Sequence, residues 1–227
     1  MILSNETIEI LKNFSSINQS IAIIPGTKLK TVNSLKNILA HATVKEDFPN
    51  SFAIYDLIKF LGVLTDMTEP ELDFASDNKS VTISDGGDGK IKYRGADLDY
   101  IVKPEKDIDM PECEINFTLK ESVLDWVYQK ATVLQLNDFY FKGCEKSGKV
   151  IMGATNKKND SEHELSKVVG EGAKKKFNVL MKKENLKLVP GDYNISISSK
   201  GISHFKNVKT DLEYWIALEP ASEYGGE

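Results

Sequence analysis

The chain has 227 residues, of which 41% are hydrophobic and 28% charged, enough for one large domain or for two that each bury a core. No apolar run is long enough to span a bilayer, residues 1–14 carry Glu6 and Glu9 in place of a basic start and cleavage pattern, and Cys113 and Cys144 show no metal-like spacing. A membrane span, a signal peptide and a disulfide framework are therefore not expected, and a cytoplasmic location follows.

The net charge of −5 is uneven: residues 1–110 hold 12 basic and 17 acidic groups, and residues 111–227 hold 17 of each. Arg94 is the only arginine, which argues against sequence-specific DNA reading, because guanine edges are usually read by arginine.

Ser4 is placed to cap a helix running to about Ile17, with Glu6 in the first turn and Leu3 able to staple onto Ile8. Ile10, Leu11, Phe14 and Ile17 share one side of it, and the other side is polar with one lysine, Lys12. Alternating segments at 21–24, 29–32, 38–44 and 51–54 predict strands, punctuated by Pro25-Gly26 and Pro49-Asn50. They lead into a helix over 53–64 around which the chain is organised. Ile54, Leu57, Ile58, Leu61 and Leu64 form its broad apolar arc, and Tyr55, Lys59, Gly62 and Asp66 its narrow polar stripe. Such a stripe suits close approach to a large partner, and equally the solvated edge of a core helix.

Residues 81–83 and 91–93 flank Asp85-Gly86-Gly87-Asp88-Gly89 and predict a hairpin, with a further strand over 98–102. The twelfth position counted from Asp85 is Ala96 where a calcium loop needs glutamate, so a tight turn is expected. Residues 102–111 break both periodicities with Pro104, Pro111 and alternating charge. The predicted organisation is a domain over 1–103, a connector over 104–112 and a domain over 113–227.

The second half repeats the order of elements. An amphipathic helix over 119–134 would bury Val123, Leu124, Val127, Ala131 and Leu134. Strands follow near 138–141 and 150–152, then a less regular stretch with Leu165, Val168 and Val169, the run Lys174-Lys175-Lys176, and a short helix near 181–186. The closing strands turn at Pro190-Gly191 and Lys200-Gly201 and end with 212–218.

His41, His163 and His204 are scattered, and no nucleophile elbow, phosphate loop or dinucleotide fingerprint is present. No catalytic residue, metal or cofactor is assigned. Asp97 with Asp99 and Glu162 with Glu164 have the spacing of solvated surface, and the triple lysine fits a phosphate contact or an exposed loop.

Three groups of residues carry a resemblance. They are Leu3-Ser4, Thr7, Leu11-Lys12-Asn13-Phe14 and Ile17-Asn18; then Ala53-Ile54-Tyr55-Asp56-Leu57, Phe60-Leu61-Gly62 and Leu64; and near the end Pro190-Gly191, Tyr193, Lys200-Gly201, Phe205, Tyr214 and Ala217-Leu218-Glu219. In order and spacing the chain resembles the sliding clamp of T-even-type bacteriophages, least so over 115–180. The resemblance implies an α+β fold of two similar domains, each helix, strands, helix, strands. Three identical subunits would form a ring with helices inside and sheets outside, threaded by duplex DNA in the cytoplasm of an infected host. It further implies a non-enzymatic processivity factor that holds the C-terminal tail of a replicative polymerase, is loaded by an ATP-dependent clamp loader, and serves late-transcription factors as well.

By helix position, Lys12, Lys59, Lys120, Lys130, Lys182 and Lys183 would face or border the bore, while Glu121, Asp125 and Gln129 leave the third helix little attraction for DNA. A partner-peptide pocket between the domains would use His41, Ile108, Met110, Trp215, Leu218 and Pro220. Alternatively, Trp215 fills the core of the last strand. The subunit interface would pair an edge strand at Leu98, Tyr100 and Val102 with one at Leu165 and Val168. The alternative function is a two-domain protein-interaction scaffold that does not bind DNA. A third is a metal-dependent nuclease using Asp85 and Asp88.

Overall fold

In the computed structural model, which describes residues 1–156, 163–171 and 173–225, the Ser4 hydroxyl accepts the Thr7 N–H at 3.3 Å and opens α1 (Asn5–Ile17). Thr7, Ile10, Leu11, Phe14 and Ile17 are buried along one side of α1, as the 3.6-residue period requires. Glu46 fixes this helix start from a distant strand, because its carboxylate accepts the Ser4 N–H and the Thr7 hydroxyl, each at 2.5 Å. Partial burial pushes the Glu46 carboxyl up, but the Thr7 and Ser4 donors outweigh it and hold it below its ordinary value. A carboxyl lowered on folding stabilises above its unfolded pKa and loses that contribution as pH falls through the folded one. Glu46→Gln is therefore expected to cost about 1.5 kcal/mol at pH 7. The gap between variant and wild type should narrow as pH falls through and below the ordinary carboxylate range, and urea denaturation at pH 7 and pH 3.5 reads both effects. Superimposable curves at pH 7 would reject the role.

The chain divides into two compact units, Met1–Asp107 and Ile108–Glu227. In the first, β1 (Ile21–Ile23) pairs antiparallel with β4 (Phe52–Ile54), and β2 (Gly26–Val32) pairs with β3 (Ile38–Phe48). Next come α2 (Leu57–Asp66) and an antiparallel sheet in the order β5 (Glu71–Phe74), β6 (Ser80–Ser84), β7 (Lys90–Arg94). Phe74 meets Phe48 and Phe52 edge-on at 6.1 and 5.7 Å, joining the first strands to the last sheet.

Two expectations for this unit need correcting. The organising helix starts at Leu57, because Ala53 and Ile54 are bound in the ladder to β1 and the Asp56 carboxylate caps the helix through the Lys59 N–H at 2.9 Å. Its buried face is Leu57, Phe60, Leu61 and Leu64, and Ile58 is 64% exposed. Nor is 98–102 a strand. Leu98–Tyr100 is one 3₁₀ turn, which the Asp97 carboxylate starts by accepting the Asp99 N–H at 3.0 Å.

The second unit opens with β8 (Ile115–Leu119), a strand the sequence pattern did not reveal, followed by α3 (Glu121–Val133). Five antiparallel strands form one sheet in the order β11 (Leu165–Glu171), β10 (Lys149–Thr155), β9 (Asp138–Gly143), β12 (Phe177–Lys182), β16 (Glu223–Tyr224). β8 pairs with β13 (Tyr193–Ser198), which pairs with β14 (Ile202–Asn207), which pairs with β15 (Leu212–Ala217). Val123, Leu124, Val127 and Ala131 form the buried face of α3, but Leu134 is exposed. The chain turns away through Gln135 at φ 55°, and Leu136 is buried instead. The short helix expected near 181–186 is also absent. β12 stays paired with β9 as far as Lys182 opposite Asp138, leaving only the 3₁₀ turn Lys183–Asn185.

Candidate nucleic-acid interface

Each helix presents polar residues on the side away from its buried face, and the six candidate lysines differ in what they meet there. On α1, Lys12 lies 2.8 Å from the Glu9 carboxylate, and on α2, Lys59 lies 3.5 Å from that of Asp56. Lys120 precedes α3 and binds Asp192 at 2.7 Å, while the same carboxylate accepts the Glu121 N–H at 2.9 Å. Lys120 and that N–H hold the Asp192 carboxyl below its ordinary range. Lys182 is a strand residue in close contact with Asp138, whose carboxylate raises the Lys182 ammonium pKa.

Two lysines differ from these four. Lys130, in the last turn of α3, has no ion pair among the described residues. Lys183 donates to the Thr132 hydroxyl at 2.8 Å and sits 5.1 Å from the Tyr128 ring centre. With Lys182, Tyr128, Asn137 and Glu184 it lines a 360 Å³ cavity. Glu6, Glu9, Asp66, Glu121 and Asp125 share the helices with these lysines, so attraction for phosphates is diluted. The exposed pairs on α1 and α2 are worth less than about 1 kcal/mol each, so polyanionic DNA can compete for Lys12 and Lys59.

Two of the strands that end a sheet are β7 and β11. β7 pairs only with β6 and carries Lys90, Lys92 and Arg94 beside Ile91, which is 40% exposed. It packs at the start of α2, where the Tyr93 hydroxyl donates to the Asp56 carbonyl at 3.1 Å, and Tyr55 and Ile58 are exposed there. β11 pairs only with β10 and exposes Val168, while Lys167 lies 5.3 Å from the ring centre of Trp126 on α3. Leu165 is buried. Tyr100 and Val102 are exposed and Leu98 is half-buried, and none of the three belongs to a strand. The available signal was Ile91 set between Lys90 and Lys92.

For the pocket residues, β15 turns Tyr214 and Ile216 into the core and places Trp215 on the opposite face, stacked on His204 at 4.9 Å. Trp215 therefore does not fill the core. His204 in turn meets Glu213 at 2.9 Å. His41 is half-buried on β3, and Leu218 and Pro220 follow β15. Ile108 and Met110 lie in irregular chain. Just before them, Asp107 contacts Lys30 and Glu105 lies 3.4 Å from Lys36, which tethers this segment to β2 and the turn after it.

Asp85 accepts the Gly87 N–H at 3.1 Å, completing a turn. Among the described residues no three His, Cys, Asp or Glu side chains are grouped to hold a metal ion, and no helix is long and apolar enough to cross a membrane. Glu162 lies outside the described residues.

Residues 4–103 match the family described as DNA polymerase processivity factor, and residues 116–220 match gp45 sliding clamp, C terminal. The sliding clamp of Vibrio phage KVP40 is 32% identical over 223 residues, covering 96% of this chain and 99% of that protein. That of Enterobacteria phage T4 is 27% identical over 229 residues, with 99% of each covered. Among solved structures, PCNA from Thermococcus kodakaraensis superposes with a TM-score of 0.70 at 15% identity, covering 96% of this chain and 99% of that one. The Helicobacter pylori beta clamp bound to a DNA ligase peptide gives 0.65 at 16% identity, covering 99% and 67%. These two likenesses identify the DNA clamp fold.

Proposed function

This chain belongs to the sliding-clamp family, and from that premise we propose that three copies close a ring around duplex DNA. In the family role it is a processivity factor that tethers a DNA polymerase and catalyses no reaction. The observation that carries the ring is that each unit has an open edge strand with exposed residues, β7 in the first and β11 in the second. An edge that meets a different edge on the next copy makes a head-to-tail contact, and such contacts form a ring when the rotation from copy to copy closes. The charges support the pairing, since Lys90, Lys92 and Arg94 on β7 would meet Glu164 and Glu171 at the two ends of β11. Light scattering is expected to give three chain masses, and a mass of one chain at high concentration would reject the ring.

In this reading the helices line the bore, and lysines attract phosphates without reading bases. Lys130 and Lys183, which have no carboxylate partner among the described residues, should contribute more than Lys12 and Lys59. Lys130→Glu with Lys183→Glu is expected to lower processive synthesis about tenfold, roughly the loss of two phosphate contacts, and to leave the assembly intact. Lys12→Glu with Lys59→Glu should lower it less. If the second pair has the larger effect, Lys130 and Lys183 do not face DNA.

Candidates for binding the polymerase tail are His41 in the first unit and Ile108, Met110, Trp215, Leu218 and Pro220 in the second. Support comes from the half-buried Trp215 on the face of β15 away from the core, and from the DNA ligase peptide named for the Helicobacter pylori beta clamp. An ATP-dependent loader places the ring on DNA in the host cytoplasm, and late-transcription factors are further partners.

A further inference from the structure

On β7, Ile91 and Tyr93 lie opposite Ile83 and Val81 of β6, so all four side chains share one face of that sheet. The face is the one beneath α2, because Phe60 of that helix meets the Tyr93 ring edge-on at 5.1 Å. Val81 and Ile83 are fully buried there, whereas Ile91, on the last strand, is open to solvent. The apolar layer under α2 therefore reaches the sheet edge without a cover.

The second unit ends its helix layer differently. Tyr128 of α3 lies 5.8 Å from Phe139 on β9, which marks the face that α3 covers, and on that face Phe141, Met152 and Lys167 form a row ending on β11. Lys167 lies over the Trp126 ring at 5.3 Å, so one face of the indole is taken from within the chain. Trp126 is still 37% exposed, and Val133, seven residues on and on the same flank of α3, is exposed as well. An indole left this open beside a free sheet edge has apolar surface to give to a partner.

We propose that Trp126 anchors the contact between copies, covering Ile91 and the open side of the Tyr93 ring on the neighbouring subunit. The contact rests on the ring proposed above, in which both helix layers lie on the inner side, so joining β11 to β7 brings the α3 flank of one copy beside the α2 layer of the next. Area favours a second copy as the occupant. The five residues of β7 span about 17 Å, and across one sheet layer about 10 Å thick their edge covers roughly 170 Å². A stable interface takes about 800 Å² from each partner, so paired strands need help from the surfaces beside them. On the helix side those surfaces are Trp126 with Val133 and, on the other unit, Ile91. One chain thus carries the open ring and the uncovered isoleucine on different units, as a head-to-tail contact between identical copies requires.

The test follows Trp126 emission in a Trp215→Phe chain, since the sequence has two tryptophans and this leaves one. Dilution through the range in which light scattering shows the assembly separating is expected to shift the emission to the red as the ring becomes wet. This reading uses the native Trp126 and does not depend on how its variants fold. Trp126→Ala is expected to weaken subunit affinity about 30-fold with the urea midpoint of the separated chain little changed. Ile91→Ala should weaken it severalfold, and the double variant should lose less than the two effects combined. A chain that assembles while its Trp126 emission ignores dilution overturns the inference and leaves the ring standing, as does an unchanged affinity for Trp126→Ala. A chain that stays single at every concentration overturns the ring and the inference together. Emission that ignores dilution but shifts to the blue with a short linear duplex would assign Trp126 to DNA and overturn it too.

Discussion

Replacing Val168 by lysine is expected to turn the assembled ring into single chains that no longer stay on circular DNA. Val168 is 49% exposed on the free edge of β11, so within its own subunit the change is mild and the urea midpoint should hold. In the proposed contact the new lysine would face Lys90, Lys92 and Arg94 of β7 on a neighbouring copy, a buried cation among cations. A penalty of about 4 kcal/mol would weaken subunit affinity roughly 1,000-fold. Mass by light scattering and half-life on nicked circular duplex read the two consequences. Lys92→Glu in the same chain should recover part of both, because it restores an opposite charge across the pair. A Val168→Lys protein that remains three chains in mass would remove β11 from the interface.

The second large effect is on folding. An added Cβ at Gly153 would sit 2.2 Å from the Tyr140 ring and 2.5 Å from the Leu165 carbonyl oxygen. Tyr140 cannot swing aside cheaply, because it is buried and its hydroxyl donates to Glu164 at 2.6 Å. The Leu165 oxygen is backbone and belongs to β11. Gly153→Ala must then push β11 away or expel the Tyr140 ring, and is expected to cost about 3 kcal/mol. For a chain of this length that lowers the thermal midpoint by roughly 8 °C. Gly170→Ala is the control, since a Cβ there meets nothing within 4 Å, and its midpoint should stay within about 2 °C. Scanning calorimetry that found Gly153→Ala as stable as wild type would contradict the packing of Tyr140 across β10. If the strand moves without unfolding, the Gly153→Ala protein should also assemble less well, because β11 is the proposed contact edge.

Much of the fold was legible because its signals are local. Ser4 with Thr7 three residues on, and the spacing of Ile10, Leu11, Phe14 and Ile17, specify α1 within a short window. The turns at Asp85–Gly89, Pro190-Gly191 and Lys200-Gly201 were placed for the same reason, since glycine and aspartate at those points favour turn geometry. Misplacements fell where two periods fit the same residues. Ala53 and Ile54 are apolar on either a helix or a strand, and only β1, some thirty positions earlier, commits them to a ladder. Leu98, Tyr100 and Val102 alternate as a strand would, yet no neighbour pairs with them and Asp97 bends the chain into a turn.

The sequence by itself determined the α+β class, the capped first helix, the hairpin turns, the scarcity of arginine and the kinship with clamps, because each is carried by residue identity and short spacing. Tertiary structure alone decided which edges stay open and which lysines are free. Lys120 is paired with Asp192 from 72 positions away, and Lys182 meets Asp138 from 44 away. No local pattern encodes such a partner, since strand pairing and ion pairing join residues distant in sequence, and an edge is defined by the strand that is not beside it.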